Sequence, residues 1–100
     1  MVEYVMARLR THPGEILAEE YMAPLGLSAK ALAQAIDVPG TRISDIVRGR
    51  RAISADTAIR LGKYFDVDPR FWLNLQSAYD LSLAENENDY SGLRSRVEAA

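Results

Sequence analysis

Arginine side chains are concentrated in one stretch of this sequence, VPGTRISDIVRGRRAIS, which covers residues 38 to 54. The arginines are Arg42, Arg48, Arg50 and Arg51, and Asp45 is the acid among them. Guanidinium groups bind phosphate through charge-assisted hydrogen bonds and can donate two hydrogen bonds to a guanine edge. From position 41 to position 63 there are six basic residues and two acids, although the whole chain has a formal net charge of −2. The stretch therefore predicts an anion-binding surface, with nucleic acid as its ligand.

Acidic side chains form two separate groups elsewhere in the chain. One group is Glu15, Glu19 and Glu20, and the other is Asp80, Glu85, Glu87 and Asp89, with no basic residue between positions 80 and 90. Neither group has a partner nucleophile or base nearby in sequence, and His12 is the single histidine, so solvated faces are the favoured interpretation. There is no glycine-rich phosphate loop and no HExxH motif. We therefore predict a protein that is not an enzyme, with no catalytic residues, no metal and no cofactor.

Helices must position these charges, because helix-start signals recur along the chain. Pro13, Ser28, Ser54 and the pair Asp68–Pro69 each precede a run with apolar residues at helical spacing. Residues 2 to 9 instead alternate apolar and polar side chains, which indicates a short strand or an ordered arm. The sequence thus predicts an all-α fold with an N-terminal arm over 1–11, a DNA-binding domain over 12–84 and an acidic C-terminal tail over 85–100.

Composition limits the size and setting of this fold. One hundred residues with 48% hydrophobic content can bury one modest core, which predicts a single domain. No apolar run approaches the roughly 18 residues that a membrane helix needs, and the N-terminus does not resemble a signal peptide. The chain has no cysteine, so its fold cannot depend on disulfides and nothing in it indicates export. We expect a cytoplasmic protein with no membrane partner.

The segment LSAKALAQAIDVPGTRISDIVRG matches a helix-turn-helix, in which two short helices cross tightly and the second enters the DNA major groove. The expected core positions are apolar, and Ala33 is small where the helices must approach closely. They are Leu32, Ile36, Val38, Ile43 and Ile46. Two positions depart from the motif: Asp37 replaces the glycine of the turn, and Pro39 replaces a serine or threonine cap. Aspartate tolerates a left-handed backbone better than most residues, so the motif stands.

If the motif binds DNA, its polar residues are predicted to contact either bases or phosphates. The first turn of the second helix is expected to contact base edges through Gly40, Thr41 and Arg42, with Ser44 and Asp45 next on the same side. Beyond the helix, Arg48, Arg50 and Arg51 are expected to contact phosphates. The alternative is that the basic run is a solvated face that complements the helix dipole.

Four segments together resemble the HigA-type antitoxins, a branch of the lambda-repressor-like XRE helix-turn-helix proteins. They are HPGEIL at 12–17, the helix-turn-helix, GRRAISADTAIRLGKYF at 49–65 and DPRFWLNLQSAYDL at 68–81. The resemblance implies a five-helix domain that forms a homodimer, binds double-stranded operator DNA of its own operon and neutralises a HigB-type toxin, an mRNA endonuclease. Two other functions stay open: a plain XRE-family repressor without a toxin partner, and a protein-interaction module with a vestigial helix-turn-helix.

Two further surfaces are expected to serve these partners. The last long helix has more apolar and aromatic side chains than one face of a small domain needs, so Trp72, Tyr79 and Leu83 are predicted to share core and dimer contacts. Toxins of this type bind RNA and are basic, so an acidic surface would complement them. The chain offers two such surfaces, the helix with Glu15, Glu19 and Glu20 and the acidic run from Asp80 to Asp89, and the three glutamates are the predicted toxin-binding residues.

Overall fold

In the computed structural model, residues 11–97 are described, and within that range the chain is helical with no strand. Helix α1 has three parts in sequence: an α-helical turn at Pro13–Ile16, a π-helical segment at Leu17–Met22 and a 3₁₀ turn at Ala23–Leu25. Helices α2 to α5 are Ala29–Ala35, Gly40–Val47, Ala55–Phe65 and Pro69–Glu87. The prediction of a five-helix, all-α fold is confirmed. The strand or arm predicted over residues 2 to 9 lies outside the described residues.

Side-chain caps fix where three of the helices begin. The Ser28 hydroxyl accepts a hydrogen bond from the Ala31 amide at 3.0 Å, and Ser54 accepts one from the Thr57 amide at 3.3 Å. The Asp68 carboxylate accepts from the Arg70 amide at 2.8 Å, with Pro69 at the first helical position. Each cap satisfies an amide that has no partner inside its own helix, as the sequence predicts.

The turn between α2 and α3 depends on a left-handed residue. Asp37 has φ 60°, and the next amide, that of Val38, donates to the Ala33 carbonyl at 3.0 Å. This arrangement ends α2 and redirects the chain into α3. Aspartate therefore takes the conformation for which the motif ordinarily uses glycine.

The core lies between α1, α2 and α3 on one side and α4 and α5 on the other. Leu17, Leu32, Ile43, Ile46 and Leu61 are fully buried, and Ala33 is 1% exposed where α2 meets α3. A larger side chain at position 33 would separate these two helices. The small residue at the crossing confirms the packing that the sequence predicts.

An aromatic cluster fills the space between α1 and α5, and it corrects one prediction. Trp72 is 0% exposed and its ring lies 4.9 Å from that of Tyr21 and 5.0 Å from that of Phe71. The indole is therefore a core residue of the protomer and has no surface left for a dimer contact. Tyr79 and Leu83 are half-buried, and Tyr79 packs edge-on against His12 at 4.9 Å. Leu81 is the apolar residue of α5 that projects outward, with 63% of its surface exposed.

One buried polar side chain joins the loop before α4 to α5. Gln76 is 7% exposed, and its Oε1 accepts a hydrogen bond from the Ile53 amide at 2.8 Å. Its Nε2 donates to Asp80 Oδ1 at 2.9 Å. The loop that carries the arginines is thus tied to the helix that carries the acidic run.

The C-terminal part of the described chain is exposed. Helix α5 continues to Glu87, past the domain boundary expected at residue 84, and residues 88–97 are exposed and not helical. Tyr90, Leu93 and Val97 present apolar surface there. None of the helices between residues 11 and 97 has the length and apolar character that a membrane span requires.

Candidate nucleic-acid interface

Helix α3 has one face in the core and one face in solvent. Ile43 and Ile46 are fully buried, while Gly40, Thr41 and Arg48 are exposed. Since Ile43 and Ile46 are three residues apart, they form the buried stripe of a short amphipathic helix. The first residues predicted to contact bases, Gly40 and Thr41, therefore lie on the solvent face, where a recognition helix must present them.

The start of α3 is unobstructed. Pro39 precedes it in an extended conformation without a side-chain cap, so the first amides of the helix have no side-chain acceptor there. A Cβ atom placed on Gly40 would meet nothing within 4 Å. The backbone at this end of α3 is therefore open to solvent.

A groove between α2 and α3 extends the candidate interface beyond the residues that the sequence indicated. The groove has a volume of about 580 Å³, and its polar lining residues are Lys30, Gln34, Thr41 and Ser44. Lys30 and Gln34 are exposed and lie one helical turn apart on α2. Their spacing on the helix that crosses the DNA backbone in a helix-turn-helix was the signal that could have identified them.

Ser44 and Asp45 already have partners within the protein. The Ser44 hydroxyl donates to the Gly40 carbonyl at 3.2 Å, so the side chain is turned back along its own helix. Asp45 Oδ2 lies 3.8 Å from Arg51 Nη2, and both side chains are partly exposed. The structure thus brings Asp45 to the base of the arginine loop.

The arginine loop begins with a tight helix end. Gly49 has φ 75°, its amide donates to the Ile46 carbonyl at 3.0 Å, and the Arg50 amide donates to the Asp45 carbonyl at 2.8 Å. Glycine is suited to this left-handed position because it has no Cβ. Arg48, Arg50 and Arg51 are all exposed on the loop that this turn creates. Three guanidinium groups therefore lie at the C-terminal end of α3 in positions open to a polyanion.

Arg42 is held by a neighbouring helix. Its Nη1 lies 2.6 Å from Asp56 Oδ2, and 27% of its side-chain surface is exposed. The two hydrogen bonds that Arg42 and then Arg60 donate to Asp56 lower the pKa of this carboxyl below its usual value. Asp56 is therefore ionised at neutral pH, and Arg42 is oriented rather than free in solvent.

Helix α1 abuts the far end of the recognition helix. A Cβ atom on Gly14 would lie 1.8 Å from the Ile46 carbonyl oxygen, so only glycine permits this approach. Next to it, His12 Nδ1 accepts a hydrogen bond from the Gly14 amide at 2.9 Å and caps α1. Glu15, Glu19 and Glu20 are exposed on the same helix. The acids predicted to meet a toxin are thus accessible, and they lie on a helix packed against α3.

Comparisons with known proteins agree with this geometry. The model of the helix-turn-helix family HTH_3 matches residues 19–72, from the π-helical segment of α1 to the first turn of α5. Virulence-associated protein I of Dichelobacter nodosus is 59% identical over 76 residues, which are 76% of this chain and 70% of that protein. Antitoxin HigA-1 of Vibrio cholerae is 40% identical over 68 residues, which are 68% of this chain and 64% of that protein.

A solved structure is also similar. The antitoxin HigA of Pseudomonas aeruginosa with the higBA promoter superimposes with a TM-score of 0.83 and 45% sequence identity. The alignment covers 86% of this chain and 97% of that chain. The likeness therefore extends over all five helices rather than over the helix-turn-helix alone.

Proposed function

Because this chain belongs to the XRE helix-turn-helix family, in the branch that includes the HigA antitoxins, we propose that it is an antitoxin that binds operator DNA and represses its own operon. The family is one of DNA-binding regulators, and the chain is not an enzyme. The observation that carries the proposal is the solvent face of α3, with an open N-terminal end, a groove beside it that Lys30 and Gln34 help to line, and three exposed arginines at its C-terminal end.

We assign base recognition to the first half of α3. Thr41 and Arg42 can contact base edges in the major groove, and Gly40 allows close approach of the backbone. Ser44 and Asp45 stand next on this helix, while Lys30 and Gln34 approach the DNA from α2. The arginines of the loop neutralise phosphates, which positions the domain without specifying sequence. Such a protein works in the cytoplasm, beside the chromosome.

The direct experiment is binding to DNA from upstream of its own reading frame. We expect salt-sensitive binding to a palindromic site whose half-site centres lie about 34–36 Å apart or a multiple of this distance. The Arg42→Ala variant should relax base preference at one operator position, which a randomised operator library measures. A wild-type protein that binds no DNA, or binds without salt dependence, would leave only a protein-interaction module.

Two-fold symmetry of the operator requires a homodimer. We place the dimer contact on the outer side of α5, where Leu81 is exposed and Tyr79 and Leu83 are half-buried. The Leu81→Glu and Leu83→Glu variants should sediment as folded monomers with weakened operator binding. The matched change Ile59→Glu, on the exposed face of α4, should leave the dimer intact. If both α5 variants remain dimeric, the contact lies elsewhere.

The second partner is a HigB-type toxin, and its binding site is assigned to the acidic surface of α1. Glu15, Glu19 and Glu20 are exposed and bear no ion pair to a basic side chain within residues 11–97. A basic, RNA-binding partner gains association rate and specificity from such a surface.

Co-expression with the product of the neighbouring reading frame tests this assignment. The triple change of these glutamates to glutamine should reduce toxin capture and leave operator binding intact. The matched control converts Asp80, Glu85, Glu87 and Asp89 to their amides. Loss of capture in the control alone would move the site to the acidic run. If the wild-type protein captures no neighbouring product, the chain is a plain repressor.

A further inference from the structure

One carboxylate oxygen in this protein is shared by two arginines from different helices. Asp56 Oδ2, in the first turn of α4, accepts from Arg42 Nη1 at 2.6 Å and from Arg60 Nε at 3.0 Å. Arg42 comes from the first turn of the recognition helix, so this oxygen joins α3 to α4 at the end of α3 that is open to DNA.

The second arginine is anchored on its other side. Arg60 Nη1 donates to the Ile36 carbonyl at 2.9 Å and to the Asp37 carbonyl at 3.2 Å. These carbonyls end α2 and form the turn of the helix-turn-helix. A continuous path of hydrogen bonds therefore runs from the turn through Arg60 and Asp56 to Arg42.

This path decides what Arg42 can do. A guanidinium has five N–H donors in a rigid plane, and Nη1 of Arg42 donates one of them to Asp56. This hydrogen bond limits the directions in which the remaining donors of Arg42 can point. An exposed single ion pair would orient such a side chain weakly, but a carboxylate that is itself held by an anchored arginine is a better reference point.

From this geometry we infer that Asp56 is a specificity-determining positioning residue, which orients the Arg42 guanidinium for base contact and acts only through it. The inference rests on the proposed operator binding. Charge supports it, because Asp56 between two arginines leaves a net charge of +1 in the trio. When Arg42 engages DNA, Arg60 still neutralises the carboxylate, so no unpaired negative charge faces the phosphates.

The test compares base discrimination in four proteins with the randomised operator library: wild type, Asp56→Asn, Arg42→Ala and the double variant. Asp56→Asn keeps the size of the side chain and removes the ionic acceptor. We expect it to reduce discrimination at the position that Arg42 contacts by about five- to tenfold, within the range of one bidentate base contact. In the Arg42→Ala background the same change should have no further effect on discrimination.

The matched control is Asp68→Asn, which makes the same charge change at the N-cap of α5, where the carboxylate pairs with Arg70 and with no other basic side chain among residues 11–97. This variant should bind with wild-type discrimination. Circular dichroism and thermal unfolding of each variant confirm that the fold is retained. Simple loss of a negative charge would raise affinity for all sequences alike and leave their ranking unchanged.

The outcomes separate this inference from the proposed function. An unchanged ranking in Asp56→Asn, beside a relaxed ranking in Arg42→Ala, would overturn the positioning role and leave operator binding standing. An equal loss with and without Arg42 would show that Asp56 acts by another route, which also overturns it. If wild type recognises no operator, the proposed function fails first and the inference falls with it.

Discussion

The two charged regions of this molecule are organised in different ways. In the basic region, residues 41–63, three of the five arginines are paired with carboxylates: Arg42 and Arg60 share Asp56, and Arg51 faces Asp45. In the acidic region, residues 80–90, Asp80 accepts from the Gln76 amide and Asp89 accepts from the Ser91 backbone amide. Within the described chain, none of the four acids of this region lies within salt-bridge distance of an arginine or lysine.

The difference shows two uses of charge. The two acids of the basic region lower its net charge, but their ion pairs orient the arginines, and directional hydrogen bonds to a ligand depend on such orientation. Acids without basic partners keep their full charge and contribute to long-range attraction of a basic partner. We therefore expect the largest losses of stability from substitutions that disturb packing against the basic region. Substitutions that remove a single charge should have smaller effects.

The contact between α1 and the recognition helix is the most sensitive point. In Gly14→Ala the new methyl group would collide with the Ile46 carbonyl, so α1 must move away from α3. We expect a loss of about 3 kcal/mol in the free energy of unfolding, at the upper end for overpacking, measured by urea titration. The control Gly40→Ala adds a methyl group in open space at the start of α3 and should not reduce stability. Equal stability of the two variants would contradict the close approach.

The bridge between the two charged regions comes next. Replacing Gln76 with leucine leaves the Ile53 amide without its acceptor in a buried site and frees Asp80 from its partner. We expect the free energy of unfolding to fall by about 2 kcal/mol, the usual effect of leaving a buried donor unsatisfied. Amide hydrogen exchange at Ile53 should accelerate more than exchange in α2. The control is Gln34→Leu, at an exposed position. An equal loss of stability in this control would contradict a special role for the hydrogen bonds of Gln76.

Removing a single charge should change the salt dependence of operator binding in the basic region and leave it unchanged in the acidic region. Arg50→Ala removes one phosphate contact, so the slope of log affinity for operator DNA against log salt should flatten by about 0.9 with the sequence ranking unchanged. Glu85→Gln, in the acidic region, should leave that slope at its wild-type value. A wild-type slope in Arg50→Ala would return this arginine to the status of a solvated surface residue.

The smallest effect is expected from pH. Burial lowers the pKa of the His12 imidazole below its ordinary value, and the charge of Asp80 partly opposes this. The unfolded chain then binds more protons than the folded one below about pH 6.5, so stability falls as pH drops through that range. Protonation would also remove the cap of α1, since protonated Nδ1 cannot accept from the Gly14 amide. In His12→Asn, whose side chain can also cap α1 but does not titrate, this fall in stability between about pH 7 and pH 5 should disappear when unfolding is measured by urea titration.

Local signals in the sequence were sufficient for most of the fold. Ser28, Ser54 and Asp68 each cap a helix because capping depends on residues a few positions apart, and Asp37 occupies its left-handed turn for the same reason. For Trp72 the sequence predicts a role shared between core and dimer contact, and the structure places it wholly in the core, because its burial depends on Tyr21, which is distant in sequence.

The same limit applied at the candidate site. Helical spacing placed Arg42 in the first turn of α3, but only the packing of α3 against α4 revealed that Asp56 holds it. Lys30 and Gln34 share a groove with Thr41 because α2 and α3 cross there. The spacing of Lys30 and Gln34 places them on one face of α2, but the contacts of that face with α3 arise only when the two helices pack together.

The π-helical segment of α1 has a consequence for how the length of this helix can vary. Leu17 and Met22 are five residues apart and both buried, and the Ala23 amide donates to the Ala18 carbonyl in the wider i→i+5 pattern. Removing one residue between them would leave a spacing of four, which an ordinary α-helix also places on one face. The additional residue falls on the exposed side, where Glu19 and Glu20 are adjacent. A one-residue deletion here therefore changes the number of surface side chains while the hydrophobic register of α1 is preserved.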